Sequence, residues 1–500
     1  MSSWIDEIQV DENDTNHLYM QIYHQIENMI LNKTLLNNER LPAVRKLADK
    51  LKVNTVTVVK AYELLERDQL VHKKIGSGTY VKHNANESLG AVPMDDEWEQ
   101  ARIRQLNQLS ERNITVTADT INFASANPSP DLFPVEDFKE ALLEVLDRDR
   151  GFAFSYQDSR GYGPLRHRMS TLAKTNGIIS SPEEIQIISG AQQGIDLVAK
   201  GLLQPGDTVL IERPSYGGAM AAFHSRGARV RDIEMEKDGI NIDSLERAVK
   251  ETRPKLIYLM PNFQNPTGIS YTHEKMKKII ELSETYDFII LEDDYVNELS
   301  FFAEPASAIK SLDVYQRVIY IKSFSKMFMP GLRLGYMIVP VKNYSSLVLA
   351  KQASDISTSG LLQRALECYF NQGKWDRNIK RLTKEYYKRF TQMKAIIELK
   401  LPEGVKCDIP MGGLNFWLKL PVGMEASRLY SLALDKNILF APGSLFYLNQ
   451  PVKERLRVSI AAVNEKQIES GMREMVRLIR HYDSTDSSVP WNRQQQEPIL

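Results

Sequence analysis

The chain has 500 residues, 43% apolar and 25% charged, with a net charge of −1. That length has room for about three domains of ordinary soluble composition, and the near-zero charge excludes a basic field over the whole chain, so any contact with nucleic acid has to be local. Two cysteines far apart, Cys368 and Cys407, and eight histidines without metal-site spacing argue against a disulfide framework and a cysteine zinc site, and suit a reducing cytoplasm.

The first residues, Met1-Ser2-Ser3-Trp4-Ile5-Asp6-Glu7, lack the apolar run of a signal peptide, and no stretch of about eighteen apolar residues follows to span a membrane. After an extension over 1–16, residues 17–83 read as one compact unit. Leu18, Ile22, Ile26, Met29 and Ile30 are spaced for one face of a helix over His17 to Lys33. A second, short helix starts at Leu41-Pro42 with Leu47 and Leu51 inward. Val53-Asn54-Thr55 is a tight link, and Thr57 to Arg67 forms a third helix on Val58, Tyr62 and Leu65. Leu70 to Lys74 and Thr79-Tyr80-Val81, joined by Gly76-Ser77-Gly78, predict a two-stranded hairpin. The Gly-x-Gly precedes a strand rather than a helix, so it is not a nucleotide loop. Three helices and a basic hairpin make a winged helix-turn-helix.

This head resembles the GntR family of bacterial transcription regulators. The resemblance is carried by Leu41 to Ala48, Val53 to Tyr62, Leu65 to Val71 and Gly76 to Val81. It implies that the third helix enters the major groove and the wing touches the adjacent backbone. Arg45, Asn54, Thr55, Thr57 and Lys60 would then face DNA, with Lys73, Lys74 and Gly76 on the wing. Arg45 and the lysines would position the head on phosphates, while Asn54, Thr55 and Thr57 would read base edges. The chain departs from the family at Thr55 and Val59, where members often carry the arginine suited to guanine.

Residues 84–118 are acidic (Glu87, Asp95, Asp96, Glu97, Glu99, Glu111) without a clear apolar period. They read as a linker, partly helical around Asp96–Leu109. From 119 onward, apolar runs alternate with helical stretches. The strand-like runs are 184–188, 208–211, 256–259, 288–291 and 318–321. This predicts an α/β domain over 119–481 with a mainly parallel sheet sandwiched by helices, whose ligands sit at the carboxyl ends of the strands. The larger part is expected over about 150–345 and the smaller over 119–149 plus 346–481, followed by a polar tail, 482–500.

Each strand runs into a motif. Ser189-Gly190-Ala191-Gln192-Gln193 opens a helix whose amides and dipole attract an anion. Tyr216, in Glu212-Arg213-Pro214-Ser215-Tyr216, could stack on a planar ring. Asn265, in Pro261-Asn262-Phe263-Gln264-Asn265-Pro266-Thr267-Gly268, offers an amide donor. A carboxylate in Glu292-Asp293-Asp294-Tyr295 could keep a pyridine nitrogen protonated. Lys326, in Ser323-Phe324-Ser325-Lys326, follows a buried strand, so lost solvation favours its neutral, nucleophilic amine. The two serine hydroxyls and Arg333 beside it suit a phosphate dianion.

In this order the motifs resemble the fold-type I pyridoxal phosphate (PLP) enzymes of the aspartate aminotransferase superfamily, over residues 119–480. The resemblance implies a Schiff base between PLP and Lys326 and pairing of Asp293 with the pyridine nitrogen. It places Asn265 and Tyr295 on the ring oxygen, Tyr216 on the ring face, and Ala191, Gln192, Ser323 and Arg333 on the phosphate. Tyr156, in Phe154-Ser155-Tyr156-Gln157-Asp158, would reach the phosphate of a neighbouring subunit. Arg457 would grip a carboxylate as a bidentate fork. The spacing of most aminotransferases would select Glu292 instead of Asp293; the shorter Asp-Asp-Tyr form resembles the MocR/GabR group.

Head and body together resemble that group of regulators. The resemblance implies a cytoplasmic homodimer that binds operator DNA, with PLP as cofactor and an amino acid or amine as effector, exchanging with Lys326 and changing how the linker spaces the heads. A working aminotransferase carrying a DNA-binding head stays open as the alternative.

Overall fold

The structure, a computed structural model, describes residues 8, 10, 18–31, 34–35, 39–67, 70–74, 78–81, 117, 119–302, 307–448 and 452–482. The expected partly helical linker lies outside these residues, as do Gly76 and nearly all of the N-terminal extension and polar tail. The chain forms two compact units, Met1–Asp95 and Asp96–Leu500.

The first unit has α1 (Leu18–Leu31), α2 (Val44–Leu51) and α3 (Thr55–Arg67), then β1 (Val71–Lys74) and β2 (Gly78–Val81). Ile22, Ile26 and Ile30 of α1, spaced four apart, meet Leu47 of α2 and Val58, Tyr62 and Leu65 of α3 in one buried core. Such spacing lines one helix face, and burying that face is what stabilises short helices. Leu51, expected inward, is only partly buried. β1 and β2 pair antiparallel from Val71↔Val81 to Lys74↔Gly78. The segment before α2 adds to this wing: Leu41 N donates to Thr79 O at 2.9 Å, and Val81 N to Glu39 O at 2.9 Å.

The second unit is built on an eight-stranded sheet in the order β4-β11-β10-β9-β8-β5-β6-β7. The strands are β4 (Ile185–Ile188), β5 (Thr208–Arg213), β6 (Arg229–Glu236), β7 (Gly239–Ile240), β8 (Leu256–Leu259), β9 (Ile289–Asp294), β10 (Val318–Ser323) and β11 (Gly335–Ile338). The central run β10-β9-β8-β5-β6 is parallel, while β11 is antiparallel to both neighbours. β5, β8, β9 and β10 are covered on both faces, which is why they read as apolar runs, whereas β6 is largely exposed. On one face Ile289, Leu291, Ile319 and Ile321 pack against Ile195 and Val198 of the helix Ala191–Leu202. On the other, Ile257, Ile290 and Val318 meet Leu245 and Ile279 of the helices Ile242–Thr252 and His273–Tyr286.

The helix Val135–Asp149 packs on the helix Gly360–Asn371. Its Phe138, Ala141 and Val145 share a core with Ile185, Tyr320 and Tyr336 of the large sheet. Packing therefore groups 135–149 and 360–371 with the large sheet, although sequence order suggested the smaller part. The smaller part has an antiparallel sheet, β12 (Lys406–Cys407), β13 (Asn415–Lys419), β16 (Arg455–Ser459) and β15 (Ala441–Pro442), in that order. A separate pair joins β3 (Ile121–Asn122) to β14 (Ile438–Leu439). Among the described residues no helix is long and apolar enough to cross a membrane, and no group of His, Cys, Asp or Glu is placed to hold a metal ion.

Candidate functional site

The carboxyl ends of β9 and β10 and the helix start at Ala191 open on one cavity of about 190 Å³. Lys326, Asp293, Asn265 and Tyr295 line it together with Tyr216, Ala191, Gln192, Ser323, Arg333 and Arg457. These are ten of the eleven residues expected around a cofactor and its ligand. The eleventh, Tyr156, lies outside the cavity, 84% exposed. Ala126, Asn127, Met260 and Ser325 complete the lining.

The Lys326 ammonium donates to Asn127 Oδ1 at 2.7 Å. Burial pushes this amine down to about 8, the Arg457 guanidinium pushes the same way, and Asp293 opposes them. A buried cation loses hydration, so the neutral form gains.

Strand alternation decides which acid faces the cavity. Side chains two apart share a face, so Asp293 lies with Ile289 and Leu291 while Glu292 and Asp294 point the other way. The apolar run ends at 291, but β9 continues through Asp294. Glu292 is fixed on the far face, where its carboxylate accepts from Ile309 N and Lys310 N, each at 2.8 Å. Asp294 accepts from Tyr320 at 2.6 Å and from Lys322 at 3.1 Å. Asp293 Oδ2 accepts from the Tyr258 hydroxyl at 2.7 Å. Its Oδ1 is buried and has no hydrogen-bond partner. Burial raises the Asp293 carboxyl to about 6, against the pull of the Tyr258 hydrogen bond. A buried acceptor left unpaired costs about 1–3 kcal/mol, so this oxygen suits a ligand donor.

Arg457, on β16, is fully buried. It donates through Nη1 to Asn265 Oδ1 at 2.7 Å and through Nη2 to Ala124 O. Its Nε is buried without a partner. Burial moves the guanidinium down to about 10, opposed by Tyr295 and Tyr216. A carboxylate arriving there exchanges with bonds already made within the chain. Tyr295 likewise donates its hydroxyl to Phe263 O and accepts from Asn415 Nδ2 at 3.2 Å. The ring-oxygen role expected of Tyr295 therefore requires the Phe263 bond to be exchanged.

At the other end, Gly190 precedes the helix with φ 91. A Cβ on it would fall 2.4 Å from Arg333 Nη2, so only glycine lets that guanidinium reach Ser189 O, at 3.0 Å. Arg333, the helix N-terminus, Ser323 and Ser325 make a cradle with the chemistry for a phosphate. Tyr216 donates to Gln192 Oε1 at 3.2 Å, and Gln192 Nε2 to Gly218 O at 2.9 Å.

Beneath these loops lies a hub not anticipated from the sequence. Buried Glu212, on β5, accepts through Oε1 from Met260 N at 3.1 Å and the Tyr271 hydroxyl at 2.8 Å. Its Oε2 accepts from Gln264 Nε2 at 3.1 Å, and that amide also donates to Pro214 O at 2.7 Å. The hub ties the loop carrying Asn265 to the loop carrying Tyr216. Burial raises the Glu212 carboxyl to about 8, opposed by its hydrogen bonds to Gln264 and Tyr271.

In the head, Arg45, Asn54, Thr55, Lys60 and Lys73 are exposed and Thr57 is half-buried; the Lys74 side chain and Gly76 lie outside the described residues. Asn54 Oδ1 accepts from Val56 N at 2.9 Å, which makes it the cap of α3. The Lys60 ammonium sits 4.1 Å from the centre of the Tyr19 ring, and Lys73 pairs with Glu66 at 2.6 Å.

Residues 118–474 match the family described as Aminotransferase class I and II, and residues 18–81 match Bacterial regulatory proteins, gntR family. Aromatic-amino-acid aminotransferase 1 of Thermococcus litoralis is 31% identical over 83% of this chain and 99% of its own length. An uncharacterized HTH-type transcriptional regulator of Bacillus subtilis, YdfD, is 31% identical over 93% of this chain and 97% of its own. The solved alpha-aminoadipate aminotransferase of Thermus thermophilus, complexed with N-(5'-phosphopyridoxyl)-L-leucine, superposes with a TM-score of 0.70 at 32% identity, covering 77% of this chain and 98% of that one. The orphaned Asp293 oxygen, the half-buried Lys326 amine and the Gly190–Arg333 cradle fit pyridoxal phosphate, the cofactor these matches imply.

Proposed function

Because the chain belongs to the aminotransferase class I and II family and carries a GntR-family head, we propose that it is a transcriptional regulator whose body senses an amine-bearing effector through pyridoxal phosphate. The observation that carries this reading is the fusion: the similarity to an HTH-type regulator spans 93% of the chain. In this reading, residues 17–83 bind operator DNA, 119–481 bind cofactor and effector, and 84–118 connect them. The setting is the bacterial cytoplasm.

Pyridoxal phosphate, when bound, supplies an aldehyde that condenses reversibly with amines and a ring that draws electrons from the attached carbon. Lys326 supplies the resident amine. With its pKa lowered to about 8, a fraction of the free amine is neutral near pH 7 and would be available to the cofactor's aldehyde. Asp293 would keep the ring nitrogen protonated, and Tyr216 would cover the ring face. Ala191, Gln192, Ser323 and Arg333 would hold the phosphate, and Asn265 and Tyr295 the ring oxygen. Arg457 binds an effector carboxylate, releasing Asn265 Oδ1 and Ala124 O as it does so. Two copies assemble so that exposed Tyr156 of one reaches the phosphate site of the other. An effector acts only through a difference in its affinity for two arrangements of this dimer.

The presence of the whole donor set, with relatives named as aminotransferases, also favours a working enzyme. One assay separates the two. The PLP-loaded protein is incubated with single amino acids and 2-oxoglutarate, and product is followed alongside the cofactor spectrum. Many turnovers per site favour the enzyme. A spectral change that stops within one equivalent, with an altered DNA affinity, supports the sensor.

A further inference from the structure

The first two turns of α3 carry three valines, and the fold treats them differently. Val58 is buried in the head core, whereas Val56 is 68% exposed and Val59 38% exposed. Thr55, Val56, Val59, Lys60 and Glu63 are all exposed and form one outward stripe at helical spacing. Val56 and Val59, three residues apart, are neighbours at its centre.

Two of the polar groups around them are engaged within the head. The Asn54 carbonyl oxygen caps α3 at Val56 N, 2.9 Å away. The Lys60 ammonium lies over the Tyr19 ring at 4.1 Å. Arg45 and Lys46 on α2 and Lys52 at its end are exposed, as befits groups that meet phosphates. Cations flank the stripe, and two isopropyl groups occupy its middle.

We propose that α3 reads its operator through thymine 5-methyl groups, contacted by Val56 and Val59. This rests on the reading of the head as a DNA-binding domain. In the major groove the thymine methyl is the apolar group a base pair offers, and apolar side chains recognise it. The register fits: three residues advance a helix by about 4.5 Å, a little over one base-pair step of about 3.4 Å. The two valines therefore address thymines one step apart in each half-site, where a guanine-reading arginine would have required a G·C pair.

The test begins with selection of a binding site from a random duplex library by the full-length, PLP-loaded protein. Each thymine of the selected duplex is then replaced by deoxyuridine, which deletes the methyl and keeps every hydrogen-bonding group. Binding weakens about fourfold at each contacted thymine, as expected for one buried methyl. In the Val56→Ala, Val59→Ala double variant this thymine-to-deoxyuridine ratio falls to one at those positions, and Val59→Ile, which keeps an apolar side chain, retains it. The inference is overturned if every deoxyuridine duplex binds as tightly as its parent, or if the ratio survives in the double variant. Failure of the wild-type protein to bind any duplex overturns the DNA-binding reading and this inference with it.

Discussion

Burial lowers the basicity of Lys326 most, and its charged neighbours Arg457, Asp293 and Arg333 tune it further. Uptake of pyridoxal phosphate by cofactor-stripped protein needs the neutral amine, so its rate rises with pH through a midpoint near 8. Arg457→Met removes a cation that holds the amine down, so the midpoint moves up towards the ordinary lysine value. Asp293→Asn removes the anion that holds it up, so the midpoint moves down. Stopped-flow absorbance across pH 6–10 reads both; equal midpoints in all three proteins would contradict the electrostatic account. Lys326 was legible in the sequence because a buried strand, two serines and an arginine surround it. Its partner Asn127 was not: it lies 199 residues away, and only the tertiary fold brings the two together. The three acids and the tyrosine at 292–295 were legible as a motif, but which acid faces the cavity follows from a strand that runs three residues further than its apolar run.

At the scale of elements, loops hold the site and buried hydrogen bonds hold the loops. Three donors, Met260 N, the Tyr271 hydroxyl and Gln264 Nε2, point at the two Glu212 oxygens. Glu212→Gln turns one acceptor into a donor facing a donor, at a cost of about 1–3 kcal/mol. Cofactor affinity falls with it, by about tenfold or more, because the loops of Asn265 and Tyr216 lose their common anchor. Isothermal titration of pyridoxal phosphate checks this; unchanged affinity would reduce the hub to a packing role. In the head, Asn54→Ala removes the α3 cap and destabilises that domain by about 1 kcal/mol, readable in a urea titration followed by circular dichroism. Five strands, β4, β5, β8, β9 and β10, were visible in the sequence, since strands covered on both faces carry unbroken apolar runs; β6, largely exposed and without such a run, was not. The grouping of Val135–Asp149 with the large sheet was not, because an amphipathic helix announces that it has a buried face without naming what covers it.

At the scale of the molecule, a cofactor-binding body and a DNA-binding head share one chain, and the account joins them through a single exchangeable amine. The fusion was legible because both halves carry long motifs; the effector was not, since Arg457 says only that a carboxylate fits. The most direct test compares wild-type protein with Lys326→Ala. Binding to a library-selected duplex is measured by fluorescence anisotropy, with and without pyridoxal phosphate and a panel of the twenty amino acids and 4-aminobutyrate. The account predicts that at least one amine changes the affinity of the PLP-loaded wild type, by about fivefold or more for a coupling of at least 1 kcal/mol. It predicts that Lys326→Ala binds the same duplex but does not respond in the same way. A Lys326→Ala protein whose affinity shifts by the same factor with the same amine would contradict it.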